Sequence, residues 1–217
     1  MSPPSLAGLP PARRDLLRGR GLLGQTIIAP RGCPHRCHYC NFRQIYDPSL
    51  RFRPVEEVGA EMRTFRAPFF TFWDDQLFMD AGYARKLFAG LAGAGKLWAA
   101  MVTLASTRNE RLLAAAARAG CSCLFLGLES FSAESLRLAN KAFNVVESYD
   151  EGIARIHRIA RHNLRDETSV GFECLPHIGV KGTFRDVAID RHFLDFVPVA
   201  EDAAFALLLN GPSGPRR

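Results

Sequence analysis

The stretch GQTIIAPRGCPHRCHYC, residues 24–40, joins a short apolar segment directly to a loop that contains three cysteines. The segment at 24–29 has the length and composition of a buried strand. The loop carries Cys33, Cys37 and Cys40 in the spacing Cys-x3-Cys-x2-Cys, which is half of the six cysteines in the chain. Clustered thiols directly after a strand predict a metal or redox site at the end of that strand.

Strand-like and helix-like segments then alternate along the chain at intervals of about thirty residues. Strand character recurs at FFTFW (69–73), WAAMVTL (98–104), CLFLGLE (123–129), SVGFECL (169–175) and AAFALLL (203–209). Apolar residues at helical spacing occupy 53–65, 81–95, 109–120, 148–163 and 186–196. This alternation is typical of βαβ units around a parallel sheet, either doubly wound or closed into part of a barrel. We predict an α/β fold, namely a partial (β/α)6 TIM-like barrel that is truncated at its C-terminal end.

The 217 residues divide into an arm and one domain. Residues 1–23 are rich in proline, glycine and arginine, which predicts a flexible N-terminal arm. Residues 24–217 are expected to form the core domain. The segment GRGLLG (19–24) matches the dinucleotide-binding pattern, but it follows a polar arm and precedes a strand, so we interpret it as a loop.

Composition indicates a globular protein, with 47% apolar and 23% charged residues. No apolar run approaches the roughly 18 residues of a membrane span, and no secretory signal is recognisable. We therefore expect a cytoplasmic protein with no membrane partner, in a compartment where clustered cysteines are more often metal ligands than disulfides. The net charge of +6 comes from scattered arginines rather than a basic block, which argues against nucleic acid as a partner.

Three thiols at this spacing suit an iron–sulfur cluster, which is held by cysteine. A [4Fe–4S] cluster normally has four such ligands, so three leave one iron open to a small molecule. Zinc remains an alternative, because His35 or His38 would complete a four-ligand site. A redox motif is a second alternative, because Cys37 and Cys40 have the Cys-x2-Cys spacing of thioredoxin-type proteins. The other cysteines, Cys121, Cys123 and Cys174, lie on predicted strands and are expected to be small core residues.

Acidic residues follow two of the later predicted strands. Asp74 and Asp75 end the second strand, and Glu129 ends the fourth. Because the carboxyl ends of parallel strands share one edge, we expect these acids near the cysteine loop. Alternatively, Asp74 or Asp75 caps the following helix, and Glu129 is a solvated loop acid.

The pattern Cys-x3-Cys-x-aromatic-Cys after a first strand resembles the signature of the radical S-adenosylmethionine (radical SAM) enzymes. The resemblance implies a [4Fe–4S] cluster on Cys33, Cys37 and Cys40, whose unligated iron binds S-adenosylmethionine. In that family, reductive cleavage of S-adenosylmethionine gives methionine and a 5′-deoxyadenosyl radical, which abstracts hydrogen from a substrate. The resemblance also implies that Tyr39 packs beside the adenine of this cofactor.

The resemblance extends from about residue 24 to about residue 209. FTFWDDQLF (70–78) and AGCSCLFLGLES (119–130) resemble the second and fourth strands of the subgroup that often carries a cobalamin-binding domain. It implies that Asp74 or Asp75 holds the methionine amino group, and that Glu129 lies near the ribose or the methionyl part. It assigns no catalytic residue, and it leaves the substrate and the reaction open, including methyl transfer and oxidation.

The resemblance also sets expectations about partners. The arm is too short for the cobalamin-binding domain of these relatives, so cobalamin is expected only if a partner chain supplies it. A flavodoxin- or ferredoxin-like electron donor is expected to reduce the cluster. The abbreviated end beyond 203–209 leaves an inactive truncated remnant as an alternative. A non-catalytic zinc- or cluster-binding module, associated with nucleic acid, is the rival interpretation.

Overall fold

The computed structural model describes residues 3–16, 25–42, 49–163 and 205–208. The predicted strand at 169–175, the predicted helix at 186–196, the loop interpretation of 19–24 and the expected burial of Cys174 all lie outside these residues. The part that is described contains the cysteine loop and both acidic strand ends.

Seven strands are present among the described residues. They are β1 (Thr26–Ile27), β2 (Pro30–Arg31), β3 (Arg51–Phe52), β4 (Phe69–Phe72), β5 (Leu97–Val102), β6 (Cys121–Leu126) and β7 (Phe205–Leu208). Five of them form one sheet in the order β1-β4-β5-β6-β7, and β2 pairs with β3 in a separate antiparallel ribbon. Strands β1, β4, β5 and β6 are parallel and follow one another in chain order, as in an open barrel. The α/β prediction with a parallel sheet is confirmed.

Strand β7 lies within the predicted segment 203–209 but runs antiparallel to β6, with Leu207 opposite Leu124. The sequence pattern had suggested a further parallel strand. An exposed strand edge offers N–H and C=O groups that accept a neighbour in either direction, so apolar composition predicts a strand without fixing its direction.

Five α-helices connect the strands in the described part of the chain. They are α1 (Val55–Arg63), α2 (Ala81–Leu91), α3 (Glu110–Arg118), α4 (Ala133–Leu138) and α5 (Tyr149–Asn163). Side-chain caps begin three of them, because Asp80, Asn109 and Ser132 each accept a backbone N–H from the first turn. Within this part, none of the helices is both long and apolar enough to cross a membrane.

One apolar cluster joins the sheet to the helices. At its centre, Phe72 meets both Phe70 and Trp98 edge to face, each with ring centroids 5.2 Å apart. The Trp98 indole N–H donates to the Ala119 carbonyl at 2.8 Å, so this buried polar group is satisfied. Residues from the segments with helical spacing are buried in the same cluster, namely Val58, Met62, Phe65, Leu112, Leu113, Ile153, Ile156 and Ala160.

Residues 3–16, the described part of the expected arm, contact the core. Leu6 is buried, and the Gly8 N–H donates to both carboxylate oxygens of Glu57 at 3.1 and 3.2 Å. Arg14 pairs with Glu61 of α1 at 2.6 Å and also donates to the Thr26 carbonyl of β1. These contacts tie the start of the chain to the strand that leads into the cysteine loop.

Candidate functional site

Three chain segments meet where the parallel strands end. The cysteine loop follows β1 and the short β2, Asp74 and Asp75 follow β4, and Glu129 follows β6. The parallel pairing of β1 with β4, of β4 with β5 and of β5 with β6 aligns the carboxyl ends of these four strands at one edge of the sheet. For the two aspartates the expected closeness is confirmed, since they accept hydrogen bonds from Ala29 and Gly32 before the first loop cysteine.

The three loop cysteines are free thiols and are partly exposed. The loop turns at Gly32, whose φ of 97° is readily available only to glycine. Burial raises the pKa of Cys33, and the negative charges of Cys37, Cys40 and Asp75 raise it further. Burial also raises the pKa of Cys37, against the opposing positive charge of Lys141. Mutual repulsion of this kind is relieved when thiolates share a cationic metal centre.

The donor set fits an iron–sulfur cluster, since three thiols lie on one loop with no regular structure between Gly32 and Cys37. Within the described residues, no three His, Cys, Asp or Glu side chains are placed to hold a single metal ion. The ring of His35 stacks on Phe143 with centroids 3.9 Å apart, and Nδ1 of His38 donates to the Leu138 carbonyl at 2.7 Å.

Cys121 and Cys123 are buried within β6, as predicted for core residues. Because these thiols lie within the strand rather than beyond its end, they are separate from the loop donors. Sequence spacing alone therefore separated the structural cysteines from the candidate ligands in the described part.

The two aspartates bind the backbone that leads into the cysteine loop. One Asp74 oxygen accepts the Ala29 N–H at 2.8 Å, and one Asp75 oxygen accepts the Gly32 N–H at 3.0 Å. The other Asp75 oxygen lies 3.9 Å from the Arg31 guanidinium. Both acids thus attach the end of β4 to the loop after β1.

The alternative that Asp74 or Asp75 caps the following helix is wrong, because Asp80 caps α2 by accepting the Tyr83 N–H at 2.7 Å. Asp74 has no exposed surface. Burial raises the pKa of Asp74 well above its ordinary value, although the Ala29 N–H and the charge of Arg31 act in the opposite direction.

Glu129 pairs with Lys141, since the ammonium and a carboxylate oxygen are 2.6 Å apart. Burial raises the pKa of Tyr39, and the nearby charges of Glu129 and Cys37 raise it further. Tyr39 as a residue remains 51% exposed. Glu129 is therefore paired rather than freely solvated, and it belongs to a polar network that reaches a loop cysteine.

Sequence reasoning missed several residues that hold this network. The Asn140 side chain donates to the Arg36 carbonyl of the cysteine loop at 2.8 Å, and the Asn144 side chain donates to the Gly127 carbonyl at 2.8 Å. Lys141 lies between these two asparagines. The only signal was the polar cluster after α4, which by itself predicts a turn.

The residues that match a known family model span 27–180, and that model describes the radical SAM superfamily. The matched range is most of the chain and contains the cysteine loop and the acidic strand ends. Together with the parallel sheet, this match defines the class: the chain belongs to the radical SAM superfamily. The cofactors of this family are a [4Fe–4S] cluster and S-adenosylmethionine.

Curated relatives include three proteins named as methyltransferases or methylases. The bacteriochlorophyllide d C-12(1)-methyltransferase of Chlorobaculum tepidum is 28% identical over 61% of this chain and 30% of that protein. The hopanoid C-3 methylase of Methylococcus capsulatus is 25% identical over 63% and 28%. The cytidylyl-2-hydroxyethylphosphonate methyltransferase of Streptomyces wedmorensis is 30% identical over 48% and 20%. The chain thus spans less than a third of the length of these relatives.

Solved structures of TsrM, a radical S-adenosylmethionine methyltransferase from Kitasatospora setae, have the same fold in the region compared. The structure with tryptophan substrate and aza-SAM superposes with a TM-score of 0.56 at 18% identity, over 66% of this chain and 29% of that one. The structure with cobalamin and a [4Fe–4S] cluster superposes with a TM-score of 0.55 at 17% identity, over 64% and 27%. Because the sequence identity is below 20%, the similarity to these structures shows a shared fold only.

Proposed function

We propose that this chain is the core of a radical SAM enzyme in which Cys33, Cys37 and Cys40 hold a [4Fe–4S] cluster. The observation that carries the proposal is the position of three free, partly exposed thiols on one loop at the carboxyl edge of a parallel sheet. With three protein ligands, one iron is left for S-adenosylmethionine. When bound, the cluster supplies the electron that splits this cofactor into methionine and a 5′-deoxyadenosyl radical.

The surrounding side chains support roles in holding S-adenosylmethionine. We assign the adenine contact to Tyr39, a half-exposed residue beside the cysteine loop's last ligand candidate, Cys40. Glu129, with 27% of its side chain exposed, is assigned to the ribose or methionyl part. Between the two aspartates, Asp75 is the better candidate for the methionine amino group, because it binds Gly32 next to Cys33 whereas Asp74 binds Ala29, which lies further from that cysteine along the chain.

The proposed reaction class is methyl transfer, because the three curated relatives are named for that reaction. Their names specify different acceptors, so no acceptor is assigned to this chain. Cobalamin, which one TsrM structure contains, is proposed to come from a partner chain. A flavodoxin- or ferredoxin-like protein is the proposed electron donor. We place the protein in the reducing cytoplasm, because exposed thiols stay reduced there.

Anaerobic reconstitution with iron and sulfide tests the cluster assignment. The protein is expected to bind about four irons and about four sulfides. The reduced cluster should give an EPR signal that changes when S-adenosylmethionine is added. Replacing any one of Cys33, Cys37 or Cys40 by alanine should abolish that signal, because two thiols do not hold the cluster.

The matched control is Cys121→Ala, which removes a buried thiol from β6 and should leave both the signal and its response intact. About one zinc without sulfide would replace the enzyme proposal by a zinc module. A cluster whose EPR spectrum does not change at saturating S-adenosylmethionine would also contradict the enzyme proposal. Formation of 5′-deoxyadenosine distinguishes an active enzyme from an inactive remnant.

A further inference from the structure

A lysine, Lys141, lies beside the cysteine loop but is not among the residues proposed to bind the cluster or S-adenosylmethionine. Lys141 follows α4 and leaves only 7% of its side chain exposed. Its backbone N–H donates to the Leu136 carbonyl at 2.7 Å, which fixes the turn at the end of that helix. A nearly buried ammonium destabilises the folded state unless a negative group pairs with it. The groups around Lys141 therefore indicate what its charge does.

The negative partner is Glu129, at 2.6 Å. The backbone of Glu129 has φ of 67°, a left-handed conformation that is uncommon for a residue other than glycine. Gly127 provides the space for this pair, since a Cβ there would lie 2.5 Å from the Glu129 carboxylate oxygen and 2.8 Å from the Lys141 ammonium. The left-handed backbone of Glu129 and the absence of a side chain at Gly127 thus both allow the Glu129–Lys141 ion pair to form.

This ion pair is coupled to the candidate ligands. The Lys141 ammonium lies 5.7 Å from the centre of the Tyr39 ring and 5.8 Å from that of Phe143. Glu129 and Cys37 are both near enough to Tyr39 for their charges to raise the pKa of its hydroxyl. In this partly buried environment, the charges of both pair members act on Cys37 more strongly than they would across water.

We propose that the two members of the Glu129–Lys141 pair act oppositely on the reduction potential of the cluster, Lys141 raising it and Glu129 lowering it, with Lys141 as a positioning residue that acts through Tyr39 and Cys37. This inference rests on the proposed function, because it takes Cys37 as a cluster ligand. Reduction adds one negative charge to the cluster. A nearby cation stabilises the reduced form and a nearby carboxylate opposes it, so the two members have opposite effects on the potential.

Potentiometric titration of the reconstituted cluster at about pH 7, where lysine is ordinarily charged, tests the inference. Lys141→Met should lower the potential and Glu129→Gln should raise it. Each shift should be on the order of tenfold in the equilibrium between reduced and oxidised protein, or about 59 mV. The double variant should return close to the wild-type potential, because neither charge remains.

Two controls separate charge from structural damage. Lys141→Arg keeps the positive charge and should retain most of the wild-type potential. Lys86→Met removes one exposed charge from α2 and should leave the potential unchanged. Unchanged potentials in both single variants, or shifts of the same sign, would overturn the inference while leaving the proposed function standing. A wild-type protein that takes up no cluster responsive to S-adenosylmethionine would instead overturn the proposed function.

Discussion

Asp74 is a carboxylic acid without exposed surface at the end of β4. One of its oxygens accepts the Ala29 N–H, and the other has no hydrogen-bond partner among the described residues. An ionised carboxylate here would lose its hydration without full replacement, and burial accordingly raises the pKa of Asp74. A protonated Asp74 keeps the bond to Ala29 and carries no buried charge.

The raised pKa of Asp74 predicts how stability depends on pH. Above the ordinary aspartate pKa of about 3.9, the unfolded chain releases a proton that the native state retains, so the free energy of unfolding falls as pH rises towards the native pKa. Asp74→Asn removes this titration and should flatten that dependence. Urea unfolding of the metal-free, reduced protein at several values between about pH 5 and about pH 8 measures it.

The control for this experiment is Asp150→Asn, which changes an exposed aspartate in the first turn of α5. It should keep the wild-type slope of stability against pH. The same slope in Asp74→Asn as in the wild type would contradict the prediction, whatever the absolute stability of the variant.

Among the individual residues of the candidate site, the sequence predicted those that have a recognisable spacing or strand-end position. It missed those whose role depends on the backbone conformation around them. The loop cysteines and Glu129 were identified because their spacing and strand-end positions are visible in the sequence. Lys141 and Gly127 were missed because their importance depends on a left-handed Glu129 backbone and on distances across a turn. No pattern in a single sequence encodes such distances.

Among the helices, α1 carries a buried ion-pair network that joins three parts of the chain. Glu61 of α1 pairs with Arg14 of the N-terminal segment at 2.6 Å and with Arg53 at 2.7 Å. Arg53 also donates to the Ile28 carbonyl at 3.1 Å, just after β1. Burial opposes ionisation of Glu61, but hydrogen bonds from both arginines lower its pKa overall.

Removing the charge of Glu61 should destabilise the fold. Glu61→Gln leaves two guanidinium groups close together with little solvent, which is expected to cost about 3 kcal/mol in the free energy of unfolding. Glu56→Gln, on the exposed face of the same helix, should change stability by less than about 0.5 kcal/mol. Urea unfolding at neutral pH compares them, and equal stabilities for both variants would argue against a structural role for the network.

Sequence periodicity predicted the longer elements well because each buries one continuous apolar face. Helices α1, α2, α3 and α5 lie within the predicted ranges. The six-residue α4 was missed because so short a segment shows little more than one period. The ribbon of β2 and β3 was missed because strands of two residues have no alternation to detect.

For the whole molecule, the net charge of +6 bears on the proposed electron donor. Attraction between this chain and an acidic flavodoxin- or ferredoxin-like protein should accelerate their encounter. Cluster reduction by such a donor should slow about tenfold as ionic strength rises from about 0.02 M to about 0.5 M, because salt screens the attraction. Stopped-flow absorbance measures the rate, and reduction by a neutral photoreduced deazaflavin is the control. A rate independent of salt would contradict electrostatic steering.

The hydrogen bonds on the cysteine loop also bear on the order of folding. His38 bonds to Leu138, 100 residues away, and Asn140 bonds to Arg36, 104 residues away. Contacts of such high sequence separation form late, after the intervening strands and helices have come together. During synthesis, the loop leaves the ribosome long before its partners do. The proposed cluster is therefore expected to enter a loop of final shape only after residues 138–140 have been synthesised and have packed against it.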